Sequence, residues 1–368
     1  LKLVRLPIPP PGHGMRASEG RELGAHGADV NRAHPCVAAA LGYRQKPMSI
    51  KQVTVFGASG FVGRAIVRAL ARQGYLIKAA CRRTERAEAV RTAGDVGQIM
   101  LVRANLRIPA SVSHAIAGSQ AVVNAAGIPF ERGKQSYEAV HAAGAAAIAT
   151  AARDAGVQRL VHISGIGADN RGSNNRFIRS KVAAEDAIIK GFDGATILRP
   201  SVVFGDGDAM FNRLGEIAAK APFVPLIGNG KARVQPVFVG DVAAAVAAVL
   251  SRPATAKSVF ELGGPTVYSY REIAALVLRE IDRQKPIVGV PAGLMKIAGF
   301  FAQQVGRFGL TPPITADQVE LMTHDNVARP GAPGLADLGI APTSAEAILP
   351  TYLDRFRVGG RYNQHAPA

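Results

Sequence analysis

Residues 52–63 read QVTVFGASGFVG, and this stretch decides the fold of the chain. Its first five residues are a β-branched run typical of a buried strand. The following run, RAIVRALARQG (64–74), spaces its apolar residues as one face of a helix does. Gly74 stands where a helix C-cap is expected, and YLIKAAC (75–81) supplies a second strand. A strand, a glycine turn, a helix and a strand within about 30 residues predict a βαβ unit.

The alternation of strands and helices continues to residue 200. Further strands are predicted at 99–104, 121–127 (with its turn), 159–165 and 195–200, and further helices at 111–118, 134–155 and 177–190. Such alternation predicts a parallel sheet covered on both faces, in the doubly wound, Rossmann-type α/β arrangement. After Pro200 the rhythm is less regular. We interpret that part as a smaller C-terminal α/β region over the carboxyl edge of the sheet.

The same patterns divide the chain into four parts. Residues 1–47 contain a proline cluster and no periodicity, which favours a disordered N-terminal extension, with a targeting peptide as the alternative. Residues 48–200 are the predicted NAD(P)-binding Rossmann core. Residues 201–358 are the predicted substrate-like or docking region, interleaved with the core, and 359–368 are a predicted disordered tail.

Composition excludes several protein classes. Hydrophobic residues make up 48% of the 368 residues, enough for a full core, and the net charge is +17. Two distant cysteines and no metal-ligand spacing predict neither a disulfide framework nor a metal site. No apolar stretch is long enough to span a bilayer. The charge favours an anionic neighbour, but without Trp and with only 6% aromatic residues nucleic acid is disfavoured.

Gly57, Gly60 and Gly63 are spaced as a phosphate-binding turn between a strand and a helix. The first glycine permits the tight turn, the second lets the backbone approach a pyrophosphate at the helix N-terminus, and the third allows close helix–strand packing. The spacing alone is weak evidence, and a purely structural turn is the alternative. Within a βαβ unit it predicts dinucleotide binding.

The end of the second strand indicates which dinucleotide is bound. An acidic residue there would bind the adenosine ribose 2′-hydroxyl, but the sequence has Cys81, Arg82 and Arg83. Two guanidinium groups suit a 2′-phosphate, so the sequence favours NADP(H) over NAD(H). The alternative is that both arginines are solvated surface charges.

Motifs along most of the chain resemble a known superfamily. GASGFVG, the basic pair, Asn105-Leu106, Ala125-Ala126-Gly127 and Ser164 resemble the extended or atypical short-chain dehydrogenases/reductases. The segments LRPSVVFGDGD (198–208), QPVFVGDVAAAV, FELGGP, PPITADQVELMTHDN and LADLGIAPTSAEAILPTYLDRFR resemble the family of nucleotide-binding accessory subunits of respiratory complex I (NADH:ubiquinone oxidoreductase) and their bacterial relatives. The resemblance covers roughly 50–358.

The resemblance implies a set of cofactor-binding residues. The pyrophosphate would contact Gly57, Ser59, Gly60, Phe61, Val62 and Gly63, and the 2′-phosphate would contact Arg82 and Arg83. The adenine would lie between Asn105 and Leu106, and the ribose would pass near Ala125, Ala126 and Gly127. Lys181 would bind the nicotinamide ribose, and Pro200 and Val203 would lie beside the nicotinamide.

Active members of that superfamily use Tyr-x-x-x-Lys on a helix for proton transfer, and here the tyrosine is replaced. The matching segment runs from Phe177 to Lys181, and a phenyl ring can neither donate nor accept a proton. Ser164 alone is a poor acid–base group, so this remnant predicts no catalysis. Tyr137 on the preceding helix could substitute only by chance geometry. His162 is interpreted as a packed strand residue rather than a catalyst.

Residues 291–308, PAGLMKIAGFFAQQVGRF, form an apolar helical segment without an acidic residue. The simplest interpretation is a core helix of the C-terminal region, and the alternative is contact with a partner or a membrane interface. Together with the resemblance, the sequence predicts a non-catalytic NADP(H)-binding accessory subunit of complex I. It would be peripheral on the cytoplasmic face of a bacterial inner membrane or the mitochondrial matrix side. An active NADP-dependent reductase, epimerase or dehydratase and an NADP(H)-sensing regulator remain the alternatives.

Overall fold

A seven-stranded parallel sheet forms the centre of this computed structural model, which describes residues 50–307 and 314–360, with the backbone alone for 302–307. The strands are β1 (Gln52–Phe56), β2 (Leu76–Cys81), β3 (Ile99–Arg103), β4 (Ala121–Asn124), β5 (Arg159–Ile163), β6 (Thr196–Pro200) and β7 (Val259–Leu262). Their order is β7-β6-β5-β4-β1-β2-β3, with every neighbouring pair parallel. The predicted Rossmann-type sheet is confirmed. Since β2 and β4 flank β1, a crevice opens at the carboxyl ends of β1 and β4.

The helices of eight or more residues are α1 (Phe61–Arg72), α2 (Pro109–Ile116), α3 (Ala143–Asp154), α4 (Arg176–Gly191), α5 (Met210–Lys220), α6 (Val239–Ser251), α7 (Tyr270–Glu280) and α8 (Ala292–Arg307), and the shorter α9 is Ala316–Leu321. Helices α1 and α6 cover one face of the sheet, and α2, α3 and α4 cover the other. Strand alternation sends Val53 and Val55 of β1 into the core beneath α1 and α6. Phe56 enters the opposite core, beneath α2, α3 and α4.

The region after residue 200 builds a third core and also completes the central sheet. Helices α5 and α7 pack around a parallel pair of short strands, Val224–Ile227 and Ile287–Val290. Strand β7 pairs with β6, so the C-terminal region is woven into the sheet. Arg199 on β6 forms a buried bidentate ion pair with Glu185 on α4, with nitrogen–oxygen distances of 2.9 and 2.6 Å. This pair fastens α4 to the sheet.

One predicted helix changes in detail, since the helix predicted at 134–155 contains a π-helical turn, Glu138–Ala142, before α3. Near the C-terminus, Pro350 begins the one-turn helix Pro350–Leu353, a position where its missing N–H is tolerated. The predictions for residues 1–47, and for nearly all of 359–368, lie outside the described residues.

The interpretation of 291–308 as a core helix is wrong for the side chains that the structure describes. Helix α8 forms as predicted, but Leu294 and Phe301 are 60% and 64% exposed, and Ile297 and Phe300 are exposed as well. The helix packs on α9 through Gly299, where a Cβ atom would lie 2.9 Å from the Ala316 nitrogen. Sequence hydrophobicity alone does not say which apolar helix is covered.

No helix within the described residues is both long and apolar enough to cross a membrane.

Candidate nucleotide-binding site

The glycine turn brings the start of α1 close to the end of β1. Gly57 has φ +76°, and a Cβ atom there would lie 2.7 Å from the Ala125 carbonyl oxygen. A Cβ atom on Gly63 would lie 2.1 Å from the Gly57 carbonyl oxygen, closer than any side chain can approach. The Gly60 N–H donates to that same oxygen at 2.9 Å. Gly57 and Gly63 therefore have a steric reason, and the turn leaves the N-terminus of α1 at the crevice.

A cleft along the carboxyl ends of β1–β4 brings most of the predicted cofactor residues together. The predicted residues that line it are Gly57, Ser59, Gly60, Arg82, Arg83, Asn105, Leu106, Ala125, Ala126 and Gly127. The lining residues that sequence reasoning missed include Cys81, Arg86, Arg107, Ile128, Gln135 and Val140. Arg107 stands two residues after Asn105, and this closeness to the end of the third strand could have indicated that it also reaches the cleft.

Four arginines surround one end of the cleft. Arg82, Arg83 and Arg86 follow β2, and Arg107 follows β3. None of them has a carboxylate partner among the described residues. Burial, and then the like charges of the other three guanidinium groups, lower the pKa of Arg82. Such unpaired positive charge in a concave site is suited to a dianion such as a phosphate.

The remaining predicted residues lie outside the cleft lining. The Phe61 ring faces Gly205 and Gly207 across the start of α1. Val62 packs against the core, and Gly63 is buried against Gly57. Pro200 is buried at the end of β6, and the half-buried Val203 begins the short strand Val203–Phe204.

Lys181 and Phe177 lie at the opposite end of the site. A Cβ atom on Gly127 would be 3.7 Å from the Lys181 Nζ atom, so this ammonium group adjoins the cleft wall. It lies 5.7 Å from the centroid of the Phe177 ring. Burial lowers the pKa of Lys181 to about 8, and the nearby Glu185 opposes this shift but is engaged by Arg199. Phe177, at the position where active members have tyrosine, therefore presents a phenyl ring rather than a phenol to the buried Lys181 ammonium.

Tyr137 and Ser164 are the two hydroxyl groups considered in place of the missing phenol. The Tyr137 hydroxyl donates to the Pro129 carbonyl at 3.1 Å, and burial raises the pKa of this tyrosine. The Ser164 Oγ atom is buried and has no hydrogen-bond partner within the part of the chain that the structure describes. A hydroxyl without a hydrogen-bonded base is a poor acid–base group.

His162 is buried on β5 and accepts a hydrogen bond at Nδ1 from the Asn124 amide at 3.0 Å. Burial lowers its pKa to about 3, with a smaller contribution from the nearby Lys181, so the imidazole is neutral at physiological pH. Its ring is enclosed by the sheet and does not line the cleft.

Comparison with known proteins gives a consistent family. The model of the NAD dependent epimerase/dehydratase family matches residues 53–263. The chain is 33% identical over 312 residues to the NADH-ubiquinone oxidoreductase 40 kDa subunit, mitochondrial, of Neurospora crassa, covering 84% of this chain and 80% of that protein. It is 31% identical over 201 residues to the ceramide reductase of Caulobacter vibrioides, covering 55% of this chain and 61% of that one.

Solved structures support the same fold. An NADPH-dependent quinone oxidoreductase from Escherichia coli, complexed with NADPH, superposes with a TM-score of 0.63 at 18% identity, covering 80% of this chain and 97% of that chain. A dTDP-glucose 4,6-dehydratase from Streptomyces venezuelae, with NAD bound, gives 0.60 at 17% identity, covering 82% and 95%. At these identities the likeness establishes the fold alone.

Proposed function

Because this chain belongs to the NAD dependent epimerase/dehydratase family, we propose that it is an NADP(H)-binding accessory subunit of respiratory complex I with no catalytic activity of its own. The observation that carries the proposal is the contrast within one site between Phe177 and four arginines that have no carboxylate partner among the described residues. A site that retains its anion-binding groups but lacks a proton donor binds a nucleotide without reducing a substrate with it.

The arginine end supports NADP(H) over NAD(H). Guanidinium groups from both β2 and β3 converge where a ribose 2′-phosphate would lie if the pyrophosphate occupies the glycine turn. Gly57, Ser59 and Gly60 would hold the pyrophosphate, Asn105 and Leu106 the adenine, and Lys181 the nicotinamide ribose. Lys181 is suited to that role because its ammonium adjoins Gly127 and makes no ion pair within the described residues.

The proposed partner follows from the relatives. The match to the Neurospora crassa subunit extends well beyond the family region that ends at residue 263, so the C-terminal region is shared as well. That region carries the exposed apolar side chains of α8 (Leu294, Ile297, Phe300 and Phe301). Exposed apolar surface of this kind marks a docking site. We place the protein at the membrane periphery, in contact with complex I subunits, on the cytoplasmic face in bacteria or the matrix side in mitochondria.

Gentle membrane solubilisation followed by native electrophoresis tests this assignment. The protein should migrate with complex I, and extraction of the purified assembly should release NADP(H). Recovery of all the protein apart from membranes and from complex I would contradict the proposed role.

An active reductase is the second candidate function. It is favoured by the relative named ceramide reductase and by the retention of Ser164 and of Lys181, whose ammonium adjoins Gly127 of the cleft wall. Substrates with a carbonyl on a long-chain or sugar-nucleotide framework, followed at the NADPH absorbance, distinguish the two. Turnover at enzyme-like rates favours the reductase, and its absence in a protein that binds NADPH favours the accessory subunit.

A further inference from the structure

Two buried histidines hold the turn that follows β4, which forms one wall of the cleft. This wall, residues 125–128, is here called the 125–128 turn, and every one of its residues lines the cleft. The Ala125 N–H bonds to the Phe56 carbonyl of β1 at 3.1 Å. The N–H groups of Ala126 and Ile128 instead depend on side chains, so their positions are set by the residues that accept from them.

His141 accepts directly from the turn. Its Nε2 atom lies 3.0 Å from the Ile128 nitrogen, and its Nδ1 atom lies 2.8 Å from Ser180 Oγ. The Ser180 hydroxyl donates its proton to the Phe177 carbonyl at 2.6 Å. The Ser180 Oγ atom must therefore accept the hydrogen bond that it shares with His141. The proton of His141 therefore lies on Nδ1, and Nε2 is an acceptor. Burial lowers the pKa of His141 to about 3, which keeps this tautomer neutral.

His162 acts through Asn124. The Asn124 side-chain NH₂ donates to His162 Nδ1. This orients the Asn124 side-chain oxygen towards the Ala126 N–H, from which it accepts at 3.1 Å. His141 comes from the π-helical turn Glu138–Ala142, a local insertion that is frequent at functional sites. Two independent elements, that turn and β5, thus converge on one wall.

We propose that His141 is a positioning residue that fixes the 125–128 turn for the nicotinamide-ribose half of a bound dinucleotide. This inference rests on the proposed nucleotide-binding function. The location follows from Gly127, whose Cα carries no side chain and where a Cβ atom would lie 3.5 Å from His141 Nε2 and 3.7 Å from Lys181 Nζ. The turn therefore meets the nucleotide beside Lys181, away from the arginines.

Ligand fragments test the inference. His141→Leu leaves the half-buried Ile128 N–H without its His141 acceptor and should weaken NADPH binding about tenfold. Adenosine 2′,5′-bisphosphate, which occupies only the arginine end, should bind within about twofold of its affinity for the unmutated protein. His141→Gln keeps an oxygen near the Nε2 position and should restore most of the NADPH affinity. His114→Leu changes an exposed histidine on α2 and is the matched control. It should leave the affinities for both ligands unchanged.

The outcomes separate the two proposals. Equal weakening of both ligands by His141→Leu, unchanged NADPH affinity, or a His141→Gln variant no better than His141→Leu would each overturn the positioning role. Nitrogen-15 chemical shifts of His141 in the nucleotide-free protein should show a protonated Nδ1 and an unprotonated Nε2, and the opposite tautomer would also overturn it. Failure of the unmutated protein to bind either ligand would contradict the proposed function. In that case the nitrogen-15 shifts still test whether His141 Nε2 accepts from the 125–128 turn.

Discussion

The two ends of the cleft differ in what they retain. At the β2–β3 end, Arg82, Arg83, Arg86 and Arg107 place four positively charged side chains along the cleft. At the α4 end, Lys181 and Ser164 remain but Phe177 replaces the acid. Binding energy and chemical catalysis reside in different side chains of one fold, so one can be lost while the other persists. Four changes test this contrast, in order of decreasing expected effect.

The largest effect concerns catalysis at the Phe177 end. General acid–base transfer contributes about 10²–10⁴-fold in rate, and a phenyl ring contributes none of it. The unmutated protein saturated with NADPH should therefore show negligible oxidation of the nucleotide by carbonyl or sugar-nucleotide substrates. Phe177→Tyr restores a phenol beside Lys181 and is the matched comparison. Rapid turnover with Phe177 in place would mean that another group, with Ser164 the first to examine, transfers the proton.

The arginine end should respond next. Replacing Arg82 and Arg83 together by Ala removes two charge-assisted contacts and should reduce NADPH affinity about 10–100-fold, with little change for NADH. Calorimetric titration measures both. Arg91→Ala is the control, since Arg91 pairs with Glu88 on the surface and does not line the cleft. A parallel loss of NADH affinity would indicate a general effect on folding rather than recognition of a phosphate.

The buried lysine predicts a pH dependence of the nucleotide-free protein. The pKa of Lys181 is about 8 in the folded state and 10.5 as the ordinary value, so the unfolded chain binds more protons between these values. Stability should rise with pH in that window, by about 1 kcal/mol between pH 8 and 9. Below pH 8 the charged lysine is fully desolvated and its cost is constant.

Lys181→Met removes that titration. The unfolding free energy of the unmutated protein minus that of Lys181→Met, measured by denaturant titration at each pH, should rise by about 1 kcal/mol between pH 8 and 9. A difference that does not vary from pH 7 to 10 would show that the ammonium is not buried as described.

The smallest expected effect concerns α8. Phe301→Asp places a charge on an exposed position and should reduce membrane or complex association a few-fold without altering nucleotide affinity, because α8 lies outside the cleft lining. High salt should release part of the unmutated protein, since screening weakens the attraction of its +17 charge to anionic surfaces. Val267→Asp, at another exposed apolar position, is the control. Equal effects of both changes would show that α8 is not a specific docking surface.

The sequence predicts the sheet and the glycine turn because both depend on local signals. QVTVF and GASGFVG determine a strand, a turn and a helix within a dozen residues, and the steric contacts of Gly57 and Gly63 follow from that geometry. The burial of α8 could not be predicted, because an apolar helix pattern does not show whether another element covers it. Sequence reasoning also missed that Arg107 lines the cleft together with the arginines that follow β2. It missed three side-chain hydrogen bonds as well: His141 with Ile128, Tyr137 with Pro129, and Arg199 with Glu185.

The π-helical turn was missed for a different reason. Residues 134–155 are rich in alanine and support one continuous helix by propensity. The wider turn at Glu138–Ala142 is stabilised instead by what it positions, including the Tyr137 and His141 rings, which stack at 5.4 Å and both contact Phe177. Tertiary contacts decided the local conformation there.

Calorimetric titration of NADPH and of NADH into the unmutated protein under identical conditions tests the central claim most directly. The four arginines should favour the phosphorylated nucleotide, so NADPH is expected to bind at least about tenfold more tightly than NADH. Equal affinities, or no binding of either nucleotide, would contradict the account.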